Sequence, residues 1–201
     1  MTILTWPVLT RAAPRLVRWG LTSNTMSFSS PLSGAMQTVE MPGARWRCSF
    51  TMENLVEADA ALLQALLVQL RGQANRLLLH NFARPTPRGT ATGTPLVNGA
   101  SQTGVSLITD GWTAGITALR TGDFFGVNGE LKMVTADAVA DGSGNATISF
   151  EPPLRSSPAD NAAITTTKPL AIFMLSSPDS GWDTQPYRIS NVPIDLIENW
   201  S

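Results

Sequence analysis

Apolar, strand-like runs separated by turn residues are most evident in the segment Thr121–Leu154, which therefore predicts paired β-strands. There, two strand-like runs, Phe124–Val127 and Glu130–Thr135, flank the pair Asn128-Gly129. Both of these residues tolerate the positive φ of a type I′ turn, so the pattern predicts a β-hairpin. A second, less regular strand pair flanks the turn residues 141–145, and the Pro152-Pro153 pair is predicted to close the unit.

One segment has the character of an α-helix, from Leu55 to about Arg71. Asn54 is a suitable N-cap, and Glu57 stands where a capping box requires a carboxylate. Gly72 is expected to supply the left-handed residue that ends the helix. Leucines form a broad apolar side, which predicts packing on the face of a sheet. A partner-binding stripe is the alternative interpretation.

Further strands are predicted on both sides of this helix. Before it, residues 15–21 and 36–39 are strand candidates. Ala44–Met52 alternates in part, with Trp46, Cys48 and Phe50 on one face and Arg45, Arg47 and Ser49 on the other. After it, residues 75–82 form a strand-like run, and Pro169–Leu175 is an apolar run typical of a buried strand. A last strand, residues 187–197, contains Pro193, which suggests an edge position or a bulge.

These elements predict a mainly β fold with two parts. Residues 1–84 and 169–201 are expected to form a sheet with one helix, over residues 55–71, packed on it. Residues 85–168, which begin with a stretch rich in Pro and Gly, are expected to form an inserted, smaller β-barrel domain.

Charge is scarce and unevenly distributed over the 201 residues, of which 14% are charged, against about 25% in typical soluble domains. Up to residue 90 there are nine Arg and four acidic residues, and from residue 91 five basic and eleven acidic residues. Such a polarised subunit suits head-to-tail assembly, although two domains with different surfaces would have the same pattern. The arginines predicted at an oligomer interface are Arg11, Arg15, Arg18, Arg45 and Arg47.

The sequence offers no convincing catalytic set, and we expect no enzymatic activity. His80 is the single histidine and Cys48 the single cysteine, which leaves no His cluster for a metal and no Cys-based zinc site. The acidic turn residues 137–145 lack the ligand spacing of an EF-hand. No cofactor, no membrane span and no specific nucleic-acid contact is predicted.

Two segments carry a resemblance to structural proteins of tailed phages. Residues 19–50, with the helix ending in QLRGQANRLLL, resemble the N-terminal part of small tail proteins of siphophages and prophages. Residues 121–154, with GD-x-aromatic, VTAD and ADGSGNAT, resemble β-modules of phage head and minor tail proteins. The order of elements is most similar to the distal tail proteins.

This resemblance implies a tail-tube-like first domain, which is a β-barrel or sandwich with one flanking α-helix, and a variable second β domain. It further implies a ring, usually of six copies, located in the virion after synthesis in the host cytoplasm. Its expected neighbours are the tail tube, the tape-measure protein and the baseplate hub or fibre proteins, with DNA passing through the channel. Distal tail proteins commonly place their second domain after the first, whereas this chain is expected to return to the first domain. Another minor tail protein or a head–tail connector therefore stays an alternative.

A carbohydrate-binding module for host attachment is the alternative from a different functional class. It requires exposed aromatic side chains in the second domain, where Trp112 is the first candidate. Six tryptophans spread along the chain are otherwise typical of cores and subunit interfaces.

Overall fold

The computed structural model describes residues 1–10 and 14–199 and is mainly β, with 47% strand and 9% helix. This confirms the predicted fold class. The strands, in chain order, are β1 (Ile3–Thr5), β2 (Val17–Thr22), β3 (Thr25–Ser29), β4 (Met36–Glu40), β5 (Arg45–Leu55), β6 (Arg76–Leu79), β7 (Gly93–Val97), β8 (Gly104–Trp112), β9 (Thr117–Leu119), β10 (Phe124–Val127), β11 (Glu130–Val134), β12 (Ala138–Val139), β13 (Ala146–Leu154), β14 (Ile164–Thr165), β15 (Ala171–Leu175), β16 (Asp183–Gln185) and β17 (Ile189–Glu198). The helix α1 spans Glu57–Leu70, and Pro186–Arg188 form a 3₁₀ turn.

The first sheet is a half-barrel with the strand order β1-β6-β15-β17-β5-β2, and β16 pairs with the start of β17. Strand β5 buries Trp46, Cys48 and Phe50, which confirms the predicted alternation. Leucines of α1 join these side chains in one core, among them Leu63 and Leu67. The helix therefore covers an apolar face of this sheet, as its leucine pattern predicts.

The second sheet is a nearly closed barrel with the strand order β14-β10-β11-β13-β8-β7. Its two end strands meet where Leu96 forms a β-bridge with Ala163, next to Ile164 of β14. The predicted hairpin of β10 and β11 is confirmed, with Val127 opposite Glu130 and positive φ values of 51° and 75° at Asn128 and Gly129.

Hydrogen bonds and apolar side chains join the two sheets at one junction. Glu198, at the end of β17, is buried and accepts hydrogen bonds from the Trp46 backbone N–H (3.0 Å) and the Arg155 guanidinium (2.9 and 2.5 Å). The indole of Trp46 donates to the Leu131 carbonyl (2.9 Å), and Phe124 lies in the core of the first sheet. The domain boundaries predicted at residues 84/85 and 168/169 stay a prediction, because side chains of the second sheet, such as Phe124, pack into the core of the first.

The start of α1 differs from the prediction. Asn54 is not the N-cap: its φ is 53°, and its backbone N–H donates to Asn191 Oδ1 (2.8 Å) within the contact between β5 and β17. Leu55 is buried and pairs with Ser190, so β5 continues to the helix. Val56 takes the cap position without a side-chain hydrogen bond. Pairing with β17 overrides the local capping pattern.

Prolines in two strands lie where the ladder needs no N–H group. Strand β13 runs through Pro152-Pro153 and ends at Leu154, where the unit was predicted to close; its register with β8 is broken between Ser149 and Leu154, where a missing N–H costs little. Pro193 pairs with Thr51 of β5 and falls in the gap between the parts of β17 that pair with β15 and with β16. Strand β17 is therefore a local edge at Pro193, as predicted.

One buried carboxylate organises the start of the second sheet. Asp123 is almost fully buried and accepts hydrogen bonds from the backbone N–H groups of Arg88 (2.9 Å), Gly89 (3.0 Å) and Arg120 (2.8 Å). The Arg88 side chain lies 3.5 Å from the same carboxylate. Asp123 thereby ties the segment before β7 to the turn before β10.

We expect Asp123→Ala to lower the free energy of unfolding by about 3–5 kcal/mol, because buried N–H groups lose their acceptor. Urea unfolding followed by circular dichroism measures this change. Asp179→Ala is the matched control, since Asp179 is exposed and should change stability by less than about 0.5 kcal/mol. Equal effects of the two substitutions would contradict the organising role of Asp123.

Candidate interaction surfaces

Groups with catalytic potential are dispersed or used structurally. In the described part of the chain, no three His, Cys, Asp or Glu side chains cluster closely enough to hold a metal ion. His80 is half-buried, and its ring centroid lies 5.2 Å from that of Phe82. Burial and, to a smaller extent, the positive charge of Lys168 lower the pKa of His80. Within residues 1–10 and 14–199, no helix has the length and apolar character needed to cross a bilayer.

In the acidic turn after β12, the carboxylate of Asp141 is bonded to the backbone of the turn itself. The Asp141 carboxylate accepts hydrogen bonds from the N–H groups of Ser143 (2.7 Å) and Asn145 (2.9 Å). Both hydrogen bonds lower the pKa of Asp141, and the bond from Asn145 has the larger effect. The arrangement is that of a turn closed by an aspartate.

Trp112, the candidate for glycan stacking, lies inside the second sheet. Only 5% of the residue is exposed, and its indole N–H donates to Thr109 Oγ1 (2.8 Å). The exposed ring that the glycan hypothesis requires is therefore not at Trp112. Exposed aromatic rings lie instead on the side of the first sheet, at Phe28, Trp182 and Tyr187.

The structure brings three of the five predicted interface arginines together. Arg18, Arg45 and Arg47 lie on the outward face of β2 and β5, because Thr22 pairs with Arg45 and Gly20 with Arg47. Arg18 and Arg47 line a cleft of about 540 Å³. Arg15 is exposed just before β2, and Arg11 lies outside the described residues. A basic strip thus runs along the outer face of this sheet edge.

Strands β3 and β4 form a separate hairpin, which we call the arm (residues 25–40). Its ten strand residues are all exposed, and neither strand pairs with any other described strand. Met26 and Val39 are cross-strand partners, so they share one face with Phe28, and the other face is formed mainly by Ser and Thr. Leu32 at the tip is 99% exposed. The arm is an amphipathic ribbon with an uncovered apolar face.

The sequence predicts one strand of the arm. Residues 36–39 are a predicted strand, which β4 confirms, whereas the alternation of Met26 and Phe28 with Thr and Ser is a signal for β3 that the prediction missed. The arm also contains no charged residue before Glu40. A two-stranded ribbon without a covering layer is only marginally stable in water.

The outward side of α1 is a second uncovered apolar surface. Leu62 is 47% exposed and Val68 64%, although both were expected on the packed side with the other leucines. Around them lie small exposed residues, Ala58, Ala61 and Ala65. Helices that are apolar on all sides are normally buried, so this surface has the character of an interface.

Comparisons with known proteins add no identification. No protein-family model matches the chain, and no curated protein matches it. The functional argument therefore depends on the surfaces described above.

We expect Trp112→Ala to lower the free energy of unfolding by about 3–5 kcal/mol, because it removes a buried aromatic ring and leaves a cavity. The control is Trp182→Ala, at a residue that is 40% exposed, with an expected loss below about 1 kcal/mol. Chemical denaturation measures both. A variant that lacks Trp112 and keeps full stability would contradict the core role of this side chain.

Burial, and then the negative charge of Asp195, raise the pKa of Cys48 to about 12. The thiol therefore stays protonated well above neutral pH in the folded protein, and we expect no reaction with iodoacetamide at pH 8. In denaturant it should react at the rate of a free cysteine. Mass spectrometry of the alkylated protein distinguishes the two states, and rapid labelling of the native protein would refute the expectation.

Proposed function

We propose that this protein is a structural component of a bacteriophage tail tip, assembling into a ring that joins the tail tube to the baseplate hub or fibres. The observation that carries the proposal is the arm, whose apolar face has no cover within the described chain. A subunit with such an arm gains stability from association, because burial removes its apolar side chains from water. The resemblance of residues 19–50 and 121–154 to phage tail proteins supports the placement in a virion.

Assembly is proposed to work through protein contacts rather than chemistry. The arm and the outward face of α1 belong to different elements, which favours a contact between unlike surfaces of successive subunits. Contacts of this kind close into rings when the rotation per subunit divides a full turn. The exposed arginines Arg18 and Arg47 add charged groups at the edge from which the arm projects.

Mass photometry and electron microscopy of the full chain test the proposal. We expect a closed oligomer with a central channel, and six copies if the tail resemblance holds. The double variant Met26→Ser/Phe28→Ser should weaken association at least about tenfold. At concentrations where the chain is monomeric it should leave the thermal unfolding midpoint unchanged, since both side chains are exposed in the single chain.

Ile108→Ser is the matched control, because Ile108 is similarly exposed on the second sheet and should leave assembly unchanged. A protein that remains monomeric over the whole accessible concentration range would overturn the proposed function. The proposed function would also be overturned if Met26→Ser/Phe28→Ser still assembled and Ile108→Ser did not.

A further inference from the structure

The outward face of α1 has the dimensions of one strand of the arm. Residues 58–68 of the helix span about 15 Å along its axis, and residues 25–29 of β3 span about 14 Å. Ala58, Ala61 and Ala65 form a low strip at spacings of three and four residues, between the larger Leu62 and Val68. Small side chains of this kind leave room for the larger Met26 and Phe28 side chains.

Both surfaces are mainly apolar where they would meet, with one exposed glutamine on each, Gln37 opposite Phe28 on the arm and Gln69 one turn from Ala65 on the helix. No charged residue lies between Asp59, which is buried, and Arg71, and none occurs in the arm before Glu40. One face of the arm offers about half of the ~800 Å² per partner that a specific interface buries. The remainder must come from surfaces next to the arm.

Charges beside the two surfaces are complementary. Arg18 and Arg47, on the strands that flank the arm, are exposed, and within residues 1–10 and 14–199 neither takes part in an ion pair; Asp195 lines the same cleft. The exposed segment of residues 176–185, called the acidic loop, begins at this cleft with Ser176, runs into β16 and carries Asp179 and Asp183.

This loop is held at both ends of the helix. The backbone of Pro178 approaches Gly72 just after α1, and Arg188, three residues beyond the loop, pairs with Glu57 in the first turn (2.8 Å). The acidic loop therefore flanks the helix surface on which the arm would lie, which places negative charge next to the arginines of an incoming subunit.

We propose that the arm of one copy docks with its Met26–Phe28–Val39 face on the Ala58–Ala61–Ala65 strip of α1 in the next copy, with Arg18 and Arg47 directed to the acidic loop of that copy. This inference rests on the proposed self-assembly and specifies the contact that produces it. Because donor and acceptor surfaces differ, each subunit uses its arm on one neighbour and its helix on the other.

Directed disulfide formation between separately purified full-length variants tests this pairing. Phe28→Cys mixed with Ala65→Cys should give a covalent dimer on mild oxidation, whereas neither variant alone should give one. The double variant Phe28→Cys/Ala65→Cys should give a ladder that ends at the size of the ring. Cys48 can remain in place, because it is buried. Thr147→Cys, an exposed position on the second sheet, replaces Ala65→Cys in the control mixture.

A second experiment introduces a charged side chain into the proposed contact and needs no disulfide. Ala65→Lys, at an exposed position, should weaken association at least about tenfold and leave the unfolding midpoint of the monomer unchanged, whereas Thr147→Lys should affect neither.

The outcomes separate this contact from ring formation itself. An oligomer that forms without a link between residues 28 and 65 and tolerates Ala65→Lys would overturn the docking proposal and leave the proposed function standing. Equal linking of Phe28→Cys to itself or to Thr147→Cys would also overturn it. Absence of any oligomer of the unaltered chain would overturn both.

Discussion

A bidentate ion pair between Glu198 and Arg155 holds the two sheets in one arrangement. Removing two charges from water is costly, and the geometry here offsets that cost, since Glu198 also accepts the Trp46 N–H and Arg155 also donates to the Ala44 carbonyl (3.1 Å). A guanidinium that bonds a carboxylate through two nitrogens allows little rotation. The neighbouring carboxylate of Glu130 accepts the Arg155 backbone N–H (3.1 Å), so the segment after β13 is fixed on both sides. The position of the barrel relative to the arm and helix follows from this junction.

Local patterns predicted the elements whose conformation depends on few neighbours. The Asn128-Gly129 turn and the Trp46–Cys48–Phe50 alternation are of this kind, because φ preference and one-sided burial decide them. The cap prediction failed because long-range pairing decides there: Asn54 has a cap sequence but is held by β17. The prediction for Pro193 was correct, because this residue lies where β17 has a partner on one side only.

The interaction surfaces were predictable only in part. Arginine positions on alternating residues predicted an outward basic face, and the register of β2 with β5 is what brings Arg18 next to Arg47. The uncovered side of α1 could not be separated from its packed side, because Leu62 and Val68 have the same character as the buried Leu63 and Leu67. Only the three-dimensional arrangement shows which leucines the sheet covers.

The order of the strands along the chain has a consequence for synthesis. Strands β7 to β14 are contiguous, so the barrel can form as soon as that segment has left the ribosome. The first sheet cannot, because β5 and β6 require partners near the other end of the described chain, β17 and β15. Until those strands emerge, β5 and β6 present unpaired edges beside an apolar helix. Nascent subunits are then most exposed to premature contacts with one another, and a chaperone that shields this half until translation reaches β17 would raise the yield of native protein.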